Sequence, residues 1–414
     1  MAVLVWKITA VQVLALAGFG LVMGIWLKRI FPALDRLNIP ASVIGGLVYA
    51  LAAMLLRGRY LNLEMDLVLR DILMVAFFTT VGMSASLRLL KFGGKQVVWF
   101  LGVAVAGVLL QNILGIAVAK ALGLNPLIGL LAGSVALTGG PATALAFGAT
   151  FEKMGVESAT VIGIAAAIFG IVSGGLLGGY VGGSLVSAKD RTVVRNKPGA
   201  GLAGAEVTAY AADPHEEHVS RMSDESVIEQ SSLLNNIIVL VLAMGLGTVV
   251  SRWLEQAGMV LPSYIGAMIC AGLIRNVDDA TGLFRISQHR MDEMGSISLD
   301  LFIVMALLTL RLWELVNLAA PVLVILVLQI LLVLFLCRFL VYRVMGRDYE
   351  AAVMSAGYCG FMLGTTANSL ACMGEVVIKF GAAPRSFFVV SIVGAFLIDF
   401  INALVITQTA TMLR

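Results

Sequence analysis

Two short stretches rich in glycine and small polar residues interrupt an otherwise apolar chain. The first is Leu137 to Ala144, with Gly139-Gly140-Pro141 inside it, and the second is Gly360 to Ser369. Proline breaks a helix and removes a backbone donor, so this backbone must be buried in protein or line a wet cavity. A broken helix offers free N–H groups to an anion and free carbonyl groups to a cation. The two stretches therefore predict a midplane site for a small anion and a cation, and the alternative is a pair of polar turns between short helices.

A carboxylate lies in the middle of the last apolar run. Asp399 is followed three residues later by Asn402, so both lie on the same helix face. A charge at the centre of a bilayer costs roughly 2.5 to 3.5 kcal/mol on insertion scales, so such residues usually face a functional cavity. We expect the pair to bind sodium or the ammonium group of a substrate. An aspartate paired with a neighbouring helix for structural reasons is the alternative.

The candidate binding residues all lie at the two interruptions or on this last helix. They are Thr138, Gly139, Gly140, Pro141, Ala142, Thr143, Gly364, Thr365, Thr366, Asn368, Ser369, Asp399 and Asn402. Asp399 and the carbonyls of the broken segments are the expected sodium ligands, without a closer assignment. The sequence shows no convincing nucleophile and base set, so we do not expect an enzyme.

Long apolar runs must position these residues. The chain has 414 residues, of which 60% are hydrophobic and 13% charged, with a mean hydropathy of +0.98. A soluble domain is about one quarter charged, so an ordinary soluble globule is excluded, and the net charge of +3 argues against nucleic acid as a partner. Runs of about 20 residues are long enough to span a bilayer. The predicted spans are residues 8–27, 40–56, 72–87, 97–119, 158–184, 233–250, 261–275, 296–313, 318–342 and 386–409.

The two halves of the chain repeat each other. Ile39-Pro40-Ala41-Ser42 opens the second span of the first half, and Leu261-Pro262-Ser263 opens its counterpart. Each half is predicted to have four spans, an interrupted segment and a fifth span, and an odd number of spans inverts the second half. The fold class is therefore predicted as an all-α polytopic membrane protein with two inverted repeats of five transmembrane helices, each with a re-entrant helical hairpin. The predicted regions are a first repeat (1–186, hairpin near 126–150), a hydrophilic linker (187–231) and a second repeat (232–414, hairpin near 352–374).

Orientation follows from the distribution of Lys and Arg, which favours the cytoplasmic side. With both termini outside, most of the 28 Lys and Arg residues, including those of the linker, fall inside. The linker is therefore predicted to be cytoplasmic and loosely folded. It also contains Gly199-Ala200-Gly201-Leu202-Ala203-Gly204, which resembles a nucleotide-binding fingerprint but has no preceding strand.

The last span carries the most specific resemblance. Val393-Gly394-Ala395-Phe396-Leu397-Ile398-Asp399-Phe400-Ile401-Asn402, together with the two broken segments, resembles the sodium/glutamate symporter family. The resemblance implies sodium-coupled glutamate uptake across a bacterial inner membrane, with sodium as the coupling ion, re-entrant loops at Thr138–Thr143 and Gly364–Ser369, and a homodimer. We expect no cofactor other than this coupling ion. The first loop departs from the usual family pattern, with Pro141 and Ala142 where the family commonly has His-Gly.

The sequence therefore predicts a secondary transporter for sodium-coupled uptake of glutamate by alternating access. Another anionic amino acid or a di- or tricarboxylate is the alternative substrate, and an ion channel is the alternative class of protein. The expected partners are L-glutamate or a similar small anion, Na⁺ and the lipid bilayer of the cell inner membrane.

Overall fold

A computed structural model of the chain describes residues 4–56, 61–88, 94–186, 225–256, 262, 264–310 and 319–413. These residues are almost entirely helical. The helices of the first half are α1 (Ala10–Ile30), α2 (Pro32–Arg36), α3 (Ala41–Leu56), α4 (Val68–Met83), α5 (Gly94–Ala121), α6 (Pro126–Val135), α7 (Gly140–Lys153) and α8 (Ala159–Leu185).

The described helices of the second half follow a similar order. They are α9 (Glu225–Gln256), α10 (Ile265–Thr281), α11 (Gln288–Leu307), α12 (Ala319–Val344), α13 (Tyr349–Met362), α14 (Thr366–Phe380) and α15 (Pro384–Met412). Among the described residues, and apart from the short α2, each half shows four helices, then two helices separated by a break, then a last helix. Each predicted span overlaps one of these helices.

The chain is an α-helical membrane protein. Within the described residues, six helices are long and apolar enough to cross a bilayer, namely α1, α5, α8, α9, α12 and α15. Apolar side chains on their outer faces are exposed, among them Phe19 and Trp26 on α1 and Trp253 on α9. Without a bilayer these side chains face water, so a lipid environment accounts for them.

Two features differ from the sequence expectation. Leu4–Ile8 and Leu61–Met65 form a small parallel sheet, with Leu4 opposite Leu61, where no strand was predicted. Helix α9 begins at Glu225, so residues 225–231 of the predicted linker are helical. These residues contain neither glycine nor proline and include Val227 and Ile228, so nothing in them stops the helix. The rest of the predicted linker, 187–224, lies outside the described residues.

The helices pack into two bundles that cut across the two halves. The frame bundle contains the first three long helices of each half: α1, α3, α4, α9, α10 and α11. The hairpin bundle contains the remaining long helices of each half: α5, α6, α7, α8, α12, α13, α14 and α15. Both interruptions therefore lie in one bundle, beside the last helix that carries Asp399.

Close helix packing holds the second hairpin in place. Helix α8 carries Gly174, Gly178 and Gly182 at intervals of four residues, and this row faces α13 and α14. A methyl group added at Gly182 would lie 2.7 Å from the side chain of Ala356, so the row must stay small. Small residues at this spacing allow neighbouring helices inside a membrane to approach closely.

The two bundles also touch through aromatic side chains. Phe78 of α4 stacks on Tyr264, at the start of α10, with ring centroids 3.6 Å apart. Phe147 of α7 meets Tyr264 edge-on at 6.1 Å, so this contact joins the hairpin bundle to the frame bundle.

Candidate functional site

The first break lies between α6 and α7. Helix α7 begins at Gly140, so the unwound residues are 136–139, just before the Gly140-Pro141 pair expected to break the helix. Pro141 lies in the first turn of α7, where its missing N–H costs no helical hydrogen bond. Gly140 has a φ of +66°, a conformation that glycine adopts without strain. The segment is buried: Thr138 is 4% exposed and Thr143 6%.

The second break lies between α13 and α14 and spans Leu363 to Thr365. Thr365 caps α14, because its side chain accepts a hydrogen bond from the backbone N–H of Asn368 at 3.4 Å. Ser369 donates to the carbonyl of Gly357 at 2.7 Å and ties the two helices together. Thr366 donates to the carbonyl of Gly394 at 2.8 Å and connects the break to α15.

The two breaks meet. A methyl group added at Gly140 would lie 3.4 Å from both the carbonyl oxygen of Gly364 and the Cγ2 atom of Thr365. The hydroxyl of Thr138 lies 3.7 Å from the Sδ atom of Met362, at the end of α13. The structure therefore brings the two predicted stretches into one site.

The amino-terminal ends of α7 and α14 lie close together at this contact. Each end carries unpaired N–H groups and a partial positive charge. Gly139 gives α7 no side-chain cap within the described residues, and Pro141 has no N–H, so Gly140, Ala142 and Thr143 supply the free donors there. Two positive helix ends in contact repel each other unless an anion lies between them, so the arrangement suits a carboxylate.

Gln111 of α5, which the sequence analysis missed, joins the two breaks. Its Nε2 atom donates to the carbonyl of Met362 at 2.9 Å, and its Oε1 atom accepts from the hydroxyl of Thr138 at 2.7 Å. Gln329 of α12 donates in turn to the carbonyl of Gln111 at 2.7 Å. Both glutamines are fully buried in apolar helices, and a polar residue inside a membrane span was the signal that could have identified them.

Asn402 and Asp399 occupy different surroundings. Asn402 is 1% exposed and donates to the carbonyl of Ser134 on α6 at 3.1 Å, so it connects α15 to the first hairpin. Asp399 is half-buried, and its carboxylate has no hydrogen-bond or ion-pair partner among the described residues. An intramembrane carboxylate in this state is suited to receive a cation.

The polar atoms of the site are neutral oxygens for the most part. Hydroxyl, amide and backbone carbonyl oxygens are ligands that hard cations prefer. No cluster of three His, Cys, Asp or Glu side chains occurs within the described ranges. The neutral oxygens present are of the kind that binds a hard cation.

Asn38 links the second break to the frame bundle. It lies between α2 and α3, and its Nδ2 atom donates to the Oδ1 atom of Asn368 at 3.2 Å. Asn368 donates to the carbonyls of Ile171 and Gly360 at 3.2 Å and 3.3 Å. The predicted site residue Asn368 therefore connects α8, the second hairpin and the opposite bundle.

A cleft of about 1080 Å³ separates the bundles on one side of the molecule. Its walls are Met74 of α4 and Phe302 of α11 from the frame bundle, and Leu145 and Lys153 of α7 from the hairpin bundle. The cleft follows α7 from its C-terminal end to Leu145, close in sequence to the site residue Thr143.

Sequence comparison decides the family. A profile of the sodium/glutamate symporter family matches residues 6–382. The chain belongs to this family. Sodium/glutamate symporters of Escherichia coli (strain K12) and Shigella flexneri are each 38% identical to it over 397 residues, which cover 95% of both chains. The sodium/glutamate symporter of Haemophilus influenzae is 36% identical over 396 residues, again 95% of both chains. These matches confirm the resemblance seen in the sequence.

A solved structure of a sodium/proton antiporter from Methanocaldococcus jannaschii also aligns with 97% of this chain and 98% of its own. The TM-score is 0.39 and the identity 18%, a similarity too low to support any argument.

Proposed function

We propose that the chain is a secondary active transporter that takes up glutamate together with sodium by alternating access. The observation that carries this proposal is the contact between Gly140, at the start of α7, and the residues Gly364 and Thr365, just before α14. Membership of a transporter family supports it, and so do the names of relatives that match 95% of the chain. In this proposal the substrate carboxylates accept hydrogen bonds from the free N–H groups of α7 and α14.

Electrostatics explain why sodium is needed. Glutamate carries a net charge of −1, and a negative cell interior opposes its inward movement by about 2.3 kcal/mol per 100 mV. One sodium ion cancels this electrical cost, and each further sodium ion gains the same amount. In our proposal Asp399 and the carbonyls of the broken helices receive the sodium, whose charge then favours the substrate carboxylates.

Alternating access follows from the two-bundle organisation. The hairpin bundle carries both breaks, so its movement against the frame bundle carries the site from one side to the other. The cleft along α7 is the open route to the site in this conformation. With the termini outside and the two halves inverted, the first hairpin enters from outside, the second from inside, and the cleft opens outward. A homodimer in the bacterial inner membrane completes the proposal.

Uptake by purified protein in proteoliposomes tests the function. We expect labelled glutamate to accumulate under an inward sodium gradient and to stop accumulating when choline replaces sodium. Uptake that is indifferent to the sodium gradient would refute coupling. Counterflow of labelled substrate separates a transporter, which shows it, from a channel. Competition by unlabelled aspartate, malate and citrate tests the alternative substrates.

Asp399→Asn tests the proposed sodium ligand. We expect this substitution to raise the sodium concentration for half-maximal uptake by about tenfold, which corresponds to about 1.4 kcal/mol of lost affinity. Asp300→Asn is the matched control, because Asp300 is an acidic residue of α11 in the frame bundle. If both variants retain the wild-type sodium dependence, Asp399 has a structural role.

A further inference from the structure

Helix α6 is kinked before it reaches the first break. Gly133 has φ −96° and ψ −130°, far from helical values, inside an otherwise helical segment. A kink frees backbone groups of the preceding turn, and inside a membrane these groups need partners. Asn112 of α5 accepts from the N–H of Ser134 at 3.2 Å, and Asn402 of α15 donates to the carbonyl of Ser134 at 3.1 Å.

Three buried oxygens at this kink have no hydrogen-bond partner within the described part of the chain. They are the Oγ atom of Ser134, the Oδ1 atom of Asn402 and the Oε1 atom of Gln329. Ser134 and Gln329 are 0% exposed and Asn402 is 1% exposed. Gln329 belongs to the same place, because a methyl group added at Gly133 would lie 3.4 Å from its Nε2 atom. Buried polar atoms are normally paired, so unpaired oxygens that adjoin one short segment indicate a missing partner.

The chemistry of these atoms points to a cation. The two amide oxygens are acceptors only, and the Ser134 hydroxyl, which carries one proton, has both lone pairs free to accept. The amide hydrogens of Asn402 and Gln329 are already used on backbone carbonyls, which fixes each amide oxygen as the free end. The remaining unpaired atom nearby, Nδ2 of Asn112, is a donor and takes no part in binding a cation. Asp399, one turn before Asn402 on α15, has different surroundings and is not counted among the ligands at the kink.

We propose that the kink at Gly133 holds a sodium ion, ligated by the side-chain oxygens of Ser134 and Asn402 and by carbonyl oxygens that the kink frees. Gln329 offers a further oxygen. This inference rests on the proposed function. It assigns one coupling sodium ion to the kink, at a position separate from the carboxylate of Asp399.

The same residue connects this cation to the anion site. The carbonyl of Ser134 also accepts the N–H of Gly139 at 2.9 Å, and Gly139 directly precedes α7. A cation that fixes Ser134 therefore fixes the start of α7, whose N–H groups receive the carboxylate. Sodium binding at the kink then raises glutamate affinity, and glutamate raises sodium affinity by the same factor.

Sodium titration of glutamate uptake in proteoliposomes tests the site with two variants. We expect Ser134→Ala and Ser134→Cys each to raise the sodium concentration for half-maximal uptake by about tenfold. The cysteine variant preserves volume, and its sulfur is a soft atom that sodium does not favour. Uptake at saturating sodium should remain, which shows that the variants fold. Ser355→Ala is the matched control, because its buried hydroxyl donates to the carbonyl of Ala351 at 2.8 Å, away from the kink.

A second measurement needs no transport. Sodium chloride, compared with choline chloride, should raise the melting temperature of the purified wild-type protein without glutamate, and this shift should shrink in both Ser134 variants. Wild-type sodium dependence in both variants, by uptake and by melting, would overturn the kink site and assign its oxygens to water or to structure. That result leaves the proposed function intact, since uptake would still require sodium. Sodium-independent uptake by the wild type would instead refute the proposed function.

Discussion

The two breaks differ in how they are held. The first is buried and has no side-chain cap at Gly139, and Gly140 adopts a left-handed conformation. The second is capped by Thr365, and Ala367 next to it is exposed. Only the second is hydrogen-bonded to the frame bundle among the contacts described, through Asn38.

This difference assigns the breaks different tasks in transport. A buried, uncapped helix end is a fixed set of N–H donors, so the first break is suited to hold the ligand. A capped break that lies beside an exposed residue and has a cross-bundle hydrogen bond is suited to respond when the bundles move. Substitutions that act on one break and spare the other can therefore separate binding from movement.

Gly140→Ala should have the largest effect. A left-handed conformation costs an alanine about 1–2 kcal/mol, and the added methyl group would touch the carbonyl of Gly364 at 3.4 Å. Because the methyl group also occupies the contact between the two helix ends, we expect glutamate uptake to fall by about tenfold or more. Initial rates in proteoliposomes measure this effect.

Gly123→Ala is the control for backbone strain alone. Gly123 has a φ of +73° and open space around its α-carbon, and it lies far from the breaks in the loop after α5. We expect this variant to lose some thermal stability and to keep glutamate affinity. Equal losses of affinity in the two variants would show that strain, and not the position of Gly140, causes the effect.

Gln111→Leu should have an intermediate effect, because Gln111 joins the breaks to each other. The substitution leaves the carbonyl of Met362 and the hydroxyl of Thr138 buried without this partner, at a cost of about 1–3 kcal/mol for each group. We expect a lower melting temperature and weaker glutamate binding together, measured by thermal shift with and without glutamate. Gln12→Leu, on the exposed start of α1, controls for loss of a glutamine. Unchanged glutamate binding in Gln111→Leu would mean that the breaks hold their positions independently.

Much of this arrangement was predictable from local sequence. The apolar runs gave the helices, and the Gly-Pro and Gly-Thr pairs gave the two breaks to within a few residues. The sequence analysis placed the first break at Gly140-Pro141, whereas the helix starts there, because proline is well tolerated in a first helical turn. The short strand pairing of Leu4–Ile8 with Leu61–Met65 escaped prediction, since it joins segments distant in sequence.

The contacts between distant helices were the part that local patterns could not give. Asn38, Gln111 and Ser134 each act on a partner far along the chain, and only packing of the helices brings them together. The sequence signal for these three residues was a polar side chain inside or beside an apolar run. Such a side chain marks a residue as important but does not identify its partner. The inverted topology, the orientation and the homodimer are still predictions.

Asn38→Gly should have the smallest effect and acts on the second break alone. Glycine accepts the φ of 54° at this position, so the substitution removes the hydrogen bond to Asn368 without backbone strain. One hydrogen bond contributes about 0.5–1.5 kcal/mol, so we expect a shift of about two- to tenfold in the equilibrium between bundle positions. A cysteine introduced at the exposed Ala367 reports this shift as faster labelling by a maleimide, with the four native cysteines as background. Arg285→Gly, at an exposed position with a φ of 49°, is the matched control. Wild-type labelling rates in both glycine variants, together with loss of uptake in Gly140→Ala, would show that the cross-bundle hydrogen bond does not hold the second break. The role in movement proposed for the second break would then be wrong.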